Sequence, residues 1–359
     1  MSIDEFFMRK AICLAEQGRG FVSPNPLVGA VIVKNGKIIG HGYHKKFGDA
    51  HAEVNAFKNA RESVKGATLY VTLEPCNYLS KKTPPCVPTI IKSGIKKVVI
   101  GTLDCNPKTC NKGVIDLQKA GIKTKVGVLK EEVEKQNEYY FKYTKTGLPF
   151  VILKLGITLD GRIATNTGES KWITTPLSRQ FDQKLRKDAD AILVGVGTVL
   201  RDNPRLTCRI VAKKNLTKVI LDSNLKTPLE ANVLKGKCPV IIFTNKDSIK
   251  TLSLISKGVE IIKVKKDINR LLSWQQILTQ LSKRNIASVL IEGGARVASS
   301  ALQANVVDKI YLIFAPKILG EGLSFSDYLK LSGLNSSIKL KDYKIIPCDK
   351  DFIIEGYIH

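Results

Sequence analysis

Short apolar runs rich in Val and Ile recur along the chain, and most are set apart by segments of helical length and period. "ATLYVTLE", "KKVVIG", "KTKVGV", "DAILVGV", "TKVILDS", "PVIIFT", "VEIIKV", "ASVLIEGG" and "DKIYLIFAPKILG" read as strands, as does "FVILKLGITLDGR". β-Branched residues in such runs suit a pleated, covered surface. Helices are expected over residues 4–18, "HAEVNAFKNARES", "CVPTIIKSG", "KGVIDLQKAG", the charged stretch 130–143, 176–188, "SWQQILTQLSKR" and "ARVASSALQA". Asn35-Gly36, between two apolar runs, signals a tight hairpin. Strands alternating with helices predict α/β architecture, with sheets covered on both faces.

A chain of 359 residues is long enough for two domains, each with its own core. The segment "YTKTGLP", 143–149, carries Gly and Pro just before an apolar strand, which predicts domains at 1–146 and 147–359. No apolar stretch reaches the length of a membrane span, and "MSIDEFFMRK" lacks the basic and apolar regions of a signal peptide. A cytoplasmic enzyme away from the membrane is the expectation. Eight scattered cysteines form no small-domain framework, so free thiols are expected, and any with a role should bind metal or react.

The formal charge of +25 admits a generally basic surface, attraction to phosphorylated small molecules, or nucleic-acid binding. Basic residues are spread along the chain and rarely interleaved with aromatics, which disfavours a strand-stacking surface. A generally basic surface, or attraction to phosphorylated small molecules, is expected ahead of nucleic-acid binding. Self-association into a homo-oligomer is compatible with the sequence.

Three features converge in the first domain. His51 and Glu53 open one helix, Cys76 follows a strand, and Cys86 opens another helix behind "TPP". Each alone has a plain reading: a capping histidine, a first-turn acid, small buried thiols. A helix amino terminus favours thiolate, the metal-binding form. One His and two Cys make the three-ligand pattern of a catalytic zinc, one ion per chain. Glu53, two residues past the ligand His, is placed to take a proton from water and deliver it to a ring nitrogen and departing ammonia. His-x-Glu followed by Pro-Cys is the zinc deaminase signature, although nine residues separate Cys76 from Cys86 here, where nucleoside deaminases have two.

"PNPLVGAVIV" (24–33), "GHGYHKKFGDAHAE" (40–53), "VTLEPC" (71–76) and "KTPPC" (82–86) resemble the deaminase half of the bifunctional riboflavin-biosynthesis enzymes. That family deaminates a diaminohydroxy-phosphoribosylaminopyrimidine to an aminouracil and then reduces its ribosyl group to ribityl. The resemblance implies a cytidine-deaminase-like three-layer domain, zinc on His51, Cys76 and Cys86, Glu53 as proton shuttle, and Asn25 at the pyrimidine. The chain departs from the family at 77–82, where Asn-Tyr-Leu-Ser-Lys-Lys replaces Ser-His-His-Gly-Arg, and at Cys105, which replaces Pro in Asp-Pro-Asn-Pro. These changes touch substrate reading rather than the metal.

No Gly-x-Gly-x-x-Gly follows a strand in the second half, so a Rossmann domain is not expected. Gly293-Gly294 and Gly195/Gly197 stand at strand ends, as simple turns or as surfaces for a pyrophosphate. "LKLGITLDGRIA", "GESKWIT", "AILVGVGTVLRDNPRLT", "LDS", "IEGG" and "APKILG" are similar to the family's reductase half, which implies a dihydrofolate-reductase-like α/β domain using NADPH. By position, Gly156, Trp172, Thr198, Asp202, Ser223 and the segment from Gly294 would contact the nucleotide. Ser170, Arg186, Leu206, Arg209 and Glu292 would contact the substrate, with arginine forks suited to its phosphate. Gln183 stands where many relatives have His. The choice of NADPH over NADH rests on the resemblance alone. The expectation is therefore a bifunctional deaminase and reductase. A tRNA or single-stranded DNA base deaminase, and a reductase with a decayed deaminase half, are the alternatives.

Overall fold

The computed structural model describes residues 1–78, 84–211 and 214–358. The chain divides into two compact units, residues 1–147 and residues from 148 onward.

The first unit runs α1 (Ile3–Glu16), β1 (Gly29–Lys34), β2 (Lys37–Tyr43), α2 (Ala52–Lys58), β3 (Thr68–Leu73), α3 (Cys86–Ser93), β4 (Lys97–Thr102), α4 (Lys112–Lys119), β5 (Lys123–Val126), α5 (Lys130–Gln136) and α6 (Glu138–Thr146). The sheet order is β2-β1-β3-β4-β5, with β1 antiparallel to both neighbours and β3, β4 and β5 parallel. Asn35 and Gly36 both take positive φ, 49° and 74°, as the β1–β2 hairpin requires. Period-2 alternation sorts the strand side chains between two cores. Ala30, Ile32, Leu69, Val71, Val98 and Ile100 pack with α2, α3 and α4, while Val31, Val33, Tyr70 and Val99 pack with Phe7, Met8 and Ala11 of α1. Helices thus cover both faces, giving three layers.

The charged stretch 130–143 is two helices, not the single one expected. The break falls at Asn137, whose buried side-chain amide pairs with Leu27, accepting from its N–H at 2.7 Å and donating to its carbonyl at 3.0 Å. A side chain that bonds like a strand partner competes with helix continuation.

The second unit runs β6 (Phe150–Thr158), β7 (Arg162–Thr165), α7 (Pro176–Asp188), β8 (Ala191–Gly195), α8 (Val196–Asp202), β9 (Thr217–Leu221), β10 (Val240–Thr244), α9 (Lys250–Ser256), β11 (Val259–Lys263), α10 (Trp274–Ser282), β12 (Ser288–Glu292), α11 (Ala295–Gln303), β13 (Lys309–Ala315), β14 (Gly322–Ser324), β15 (Lys341–Cys348) and β16 (Asp351–Tyr357). Nine strands form one sheet in the order β11-β10-β9-β8-β12-β6-β13-β16-β15, and β7 pairs with β14. The strands from β11 to β13 are mutually parallel, whereas β16 and β15 are antiparallel additions. β12 lies between β6 and β8, so the chain changes direction of winding there, and the crevice beyond the carboxyl ends of such strands is where ligands bind in open α/β sheets.

"FVILKLGITLDGR", expected as one strand, is interrupted. Asp160 accepts the N–H groups of Leu319 and Gly320, and Gly161 takes φ 78°, which reverses the chain into β7. The short helices α8 and α9 and the final hairpin β15–β16 were not expected from the sequence.

Candidate active sites

α2 lies directly on the hairpin because β2 carries glycine where the two backbones meet. A Cβ on Gly42 would stand 2.4 Å from the Ala56 nitrogen. His51 caps this helix with extended backbone (φ −69°, ψ 165°), so its side chain is free of the helix face and turned to the end of β3. There Nδ1 of His51 lies 3.6 Å from Sγ of Cys76 and 3.3 Å from Sγ of Cys86. The three donor atoms lie within 4.8 Å of one another, the only such metal-ligating group among the described residues. Cys76 and Cys86 are themselves tied by backbone, since the Cys76 carbonyl accepts from the N–H of Cys86 at 3.0 Å and of Val87 at 3.1 Å.

The donor set fits zinc chemically: an imidazole and two sulfurs, deep in the fold, at a mutual spacing one ion can span. The charge balance points the same way. The Cys86 thiol is pushed well above its ordinary value by its hydrogen bond with Cys76, by burial, and by Glu53. A bound cation is what would stabilise two thiolates here.

Glu53 is 3% exposed, and burial pushes its carboxyl above the ordinary range, with the Cys86 thiol as a hydrogen-bond partner. The site opens on a cavity of about 280 Å³ lined by Asn25, His44, His51, Glu53, Cys76 and Tyr140 among others. Asn25, the expected pyrimidine contact, is in this wall, and its Nδ2 donates to Nε2 of His44 at 3.2 Å while His44 Nδ1 donates to the Ala50 carbonyl. These bonds assign the neutral Nδ1–H tautomer, and burial lowers the pKa of His44. His44 was missed at the sequence level, although it lies inside the motif that carries His51. Of the loop 77–82, residues 79–82 lie outside the described residues; Tyr78 lines the cavity.

In the second unit Arg186 and Glu292 meet through two 2.7 Å bonds, and Nη1 of Arg186 donates to the Thr207 carbonyl at 2.9 Å. The fork expected on a substrate phosphate is thus engaged by a carboxylate. Arg209 is exposed, and its backbone N–H donates to Oε1 of Gln183 at 2.8 Å. Leu206 is buried with φ 50°, and Ser170 is half-buried ahead of Trp172. Trp172 is 64% exposed, follows a cis peptide bond, and lies under the Arg179 guanidinium at 4.4 Å.

Gly156, at the carboxyl end of β6, faces the Thr174 methyl; an added Cβ would stand 3.0 Å from it. Gly293 and Gly294 take φ 96° and 86° between β12 and α11, beside the Thr198 hydroxyl of α8. Asp202 ends α8, and Ser223 follows β9, its carbonyl accepting from Thr244 at 3.2 Å. Gly156, Ser223 and Gly294 thus stand at or just past the carboxyl ends of β6, β9 and β12, and Thr198 lies in the first turn of the helix that follows β8. Bare backbone between strand and helix fits an approaching pyrophosphate.

A family model described as the cytidine and deoxycytidylate deaminase zinc-binding region matches residues 1–102, and one described as the RibD C-terminal domain matches residues 149–354. The riboflavin biosynthesis protein RibD of Aquifex aeolicus is 45% identical over 354 residues, 98% of each chain. That of Escherichia coli is 39% identical, covering 88% of this chain and 89% of its own. The crystal structure of a diaminohydroxyphosphoribosylaminopyrimidine deaminase/5-amino-6-(5-phosphoribosylamino)uracil reductase from Thermotoga maritima matches with TM-score 0.90 and 42% identity over 99% of each chain.

Proposed function

We propose a residue-level assignment for this chain, which belongs to the RibD family of bifunctional deaminases and reductases of riboflavin biosynthesis. The first unit takes the phosphorylated diaminopyrimidine and releases ammonia; the second reduces the ribosyl group of the resulting aminouracil. The enzyme works in the cytoplasm; among the described residues no helix is long and apolar enough to cross a membrane.

The observation that carries the first assignment is the convergence of His51, Cys76 and Cys86 beside buried Glu53. Those three residues hold zinc, which supplies Lewis-acid activation of water near neutral pH. Glu53 takes one proton from the attacking water and passes it to the ring nitrogen, then takes the second from the hydroxyl of the resulting adduct and passes it to the amine, which leaves as ammonia while the carbonyl forms. Its burial beside the three ligands supports the role, because it holds the carboxyl against the attacking water and away from bulk solvent. His44 holds Asn25, and Asn25 orients the pyrimidine. The completeness of this group favours a working deaminase over a decayed one.

In the second unit Gly156, Trp172, Thr198, Asp202, Ser223 and Gly294 hold NADPH, which supplies the hydride. Ser170, Arg186, Leu206, Arg209 and Glu292 receive the aminouracil. Arg209, exposed, takes the phosphate; Arg186 works through Glu292, fixing the carboxylate that meets the sugar or ring. Incubating the protein with the diaminopyrimidine, with and without NADPH, tests both halves. Ammonia release without NADPH and a ribityl product with it are expected; absence of either product removes that half of the assignment.

A further inference from the structure

We propose that Glu74 is a positioning residue of the metal site, holding the strand end that carries Cys76 and, through it, Cys86. The inference rests on the zinc reading above and concerns how the segment Glu74-Pro75-Cys76-Asn77 is gripped.

Glu74 is 4% exposed at the end of β3. Its Oε2 accepts the backbone N–H of Asp104 at 3.2 Å and of Asn111 at 2.9 Å; its Oε1 accepts those of Gly113 at 3.0 Å and Val114 at 3.3 Å. Four donors match the acceptor capacity of one carboxylate, so Glu74 is engaged as an anchor and is no second proton shuttle beside Glu53. Gly113 and Val114 belong to the first turn of α4, where a carboxylate also meets the favourable end of the helix dipole.

α4 comes this close because residue 113 has no side chain: a Cβ there would stand 2.1 Å from the Pro75 carbonyl oxygen. Three residues further along α4, Asp116 accepts from Nδ2 of Asn77 at 2.8 Å. The helix therefore holds the residues on both sides of Cys76. The Cys76 carbonyl in turn receives the first amides of α3, so the place of the first thiol sets that of the second. The segment fixed by Glu74 also carries Asp104, Asn106 and Thr109 in the cavity wall, which couples metal geometry to the substrate surface.

Removing a group that orients metal ligands typically costs about 10- to 100-fold in metal affinity. The test uses the full-length protein as wild type, Glu74→Gln and the milder Asn77→Ala. Zinc affinity is read by chelator competition and ligand geometry by the thiolate charge-transfer band of the cobalt-substituted protein. Circular dichroism and the reductase rate serve as controls. Glu74→Gln should bind zinc about 10- to 100-fold more weakly with an altered cobalt band, and Asn77→Ala should shift both in the same direction by less. A folded Glu74→Gln protein with wild-type zinc affinity, or an unshifted Asn77→Ala protein should Glu74→Gln not fold, overturns the positioning role. A wild-type chain that binds no zinc removes the metal reading itself.

Discussion

Arg186 of α7 and Glu292 at the end of β12 are joined fork to fork, by two bonds of 2.7 Å. A second ion pair, Lys154 to Asp182 at 2.9 Å, lies beside it, and strand register sets Lys154 opposite Glu292. Burial opposes ionisation of Glu292, but Arg186 and Lys154 outweigh it and hold the carboxyl below its ordinary value. Arg186→Met leaves that charge without its main partner, which typically costs about 3–5 kcal/mol. Urea unfolding followed by a probe in the second unit should show this loss. The variant should also reduce poorly while deaminating at the wild-type rate.

Glu53→Gln keeps shape and burial but removes the proton carrier. Deamination should fall by about 10²- to 10⁴-fold, with zinc content and reduction of the aminouracil unchanged. Parallel loss of both activities would show that the two reactions do not run on separate residue sets.

Asp4 gives the first unit an acid-labile anchor. Burial works against its ionisation, yet Lys125, Tyr70 and Lys97 together hold the carboxyl below the usual carboxylate range. A folded-state pKa below the unfolded one contributes stability that is full above the unfolded value and is lost as pH falls through the folded value. Stability of the first unit should therefore drop below about pH 4, and Asp4→Asn should flatten that part of the profile. A mutant curve parallel to wild type down to low pH would contradict the assignment.

Gly36→Ala tests the hairpin that underlies the site. Nothing lies within 4 Å of the added Cβ, so only the backbone at φ 74° resists the change. The expected cost is about 1–2 kcal/mol of stability in the first unit, visible as a lower melting temperature with unchanged zinc content.

The parts legible in the sequence are those set by local chemistry. Asn35-Gly36 marked its hairpin, alternating Val and Ile marked buried strands, and His51-x-Glu53 with Pro75-Cys76 and Cys86 marked a group that the fold brings within one ion's reach. What escaped is tertiary in origin. Asn137 breaks a helix because its amide pairs with Leu27, 110 positions earlier. The turn at Asp160-Gly161 is held by amides of Leu319 and Gly320, which no local pattern reveals. Glu74 and His44 lie within the motifs at 71–76 and 40–53, but their surroundings are set by distant backbone partners and a neighbouring amide. Likewise Arg186 looked like a phosphate fork until Glu292 was seen to occupy it.

The most direct test of the account is elemental analysis with zinc X-ray absorption on the purified full-length protein. One zinc per chain is predicted, with two sulfurs at about 2.3 Å and one nitrogen at about 2.0–2.1 Å, and with the sulfur signal halved in Cys86→Ser. Metal far below one equivalent, or a coordination shell without sulfur, would contradict it.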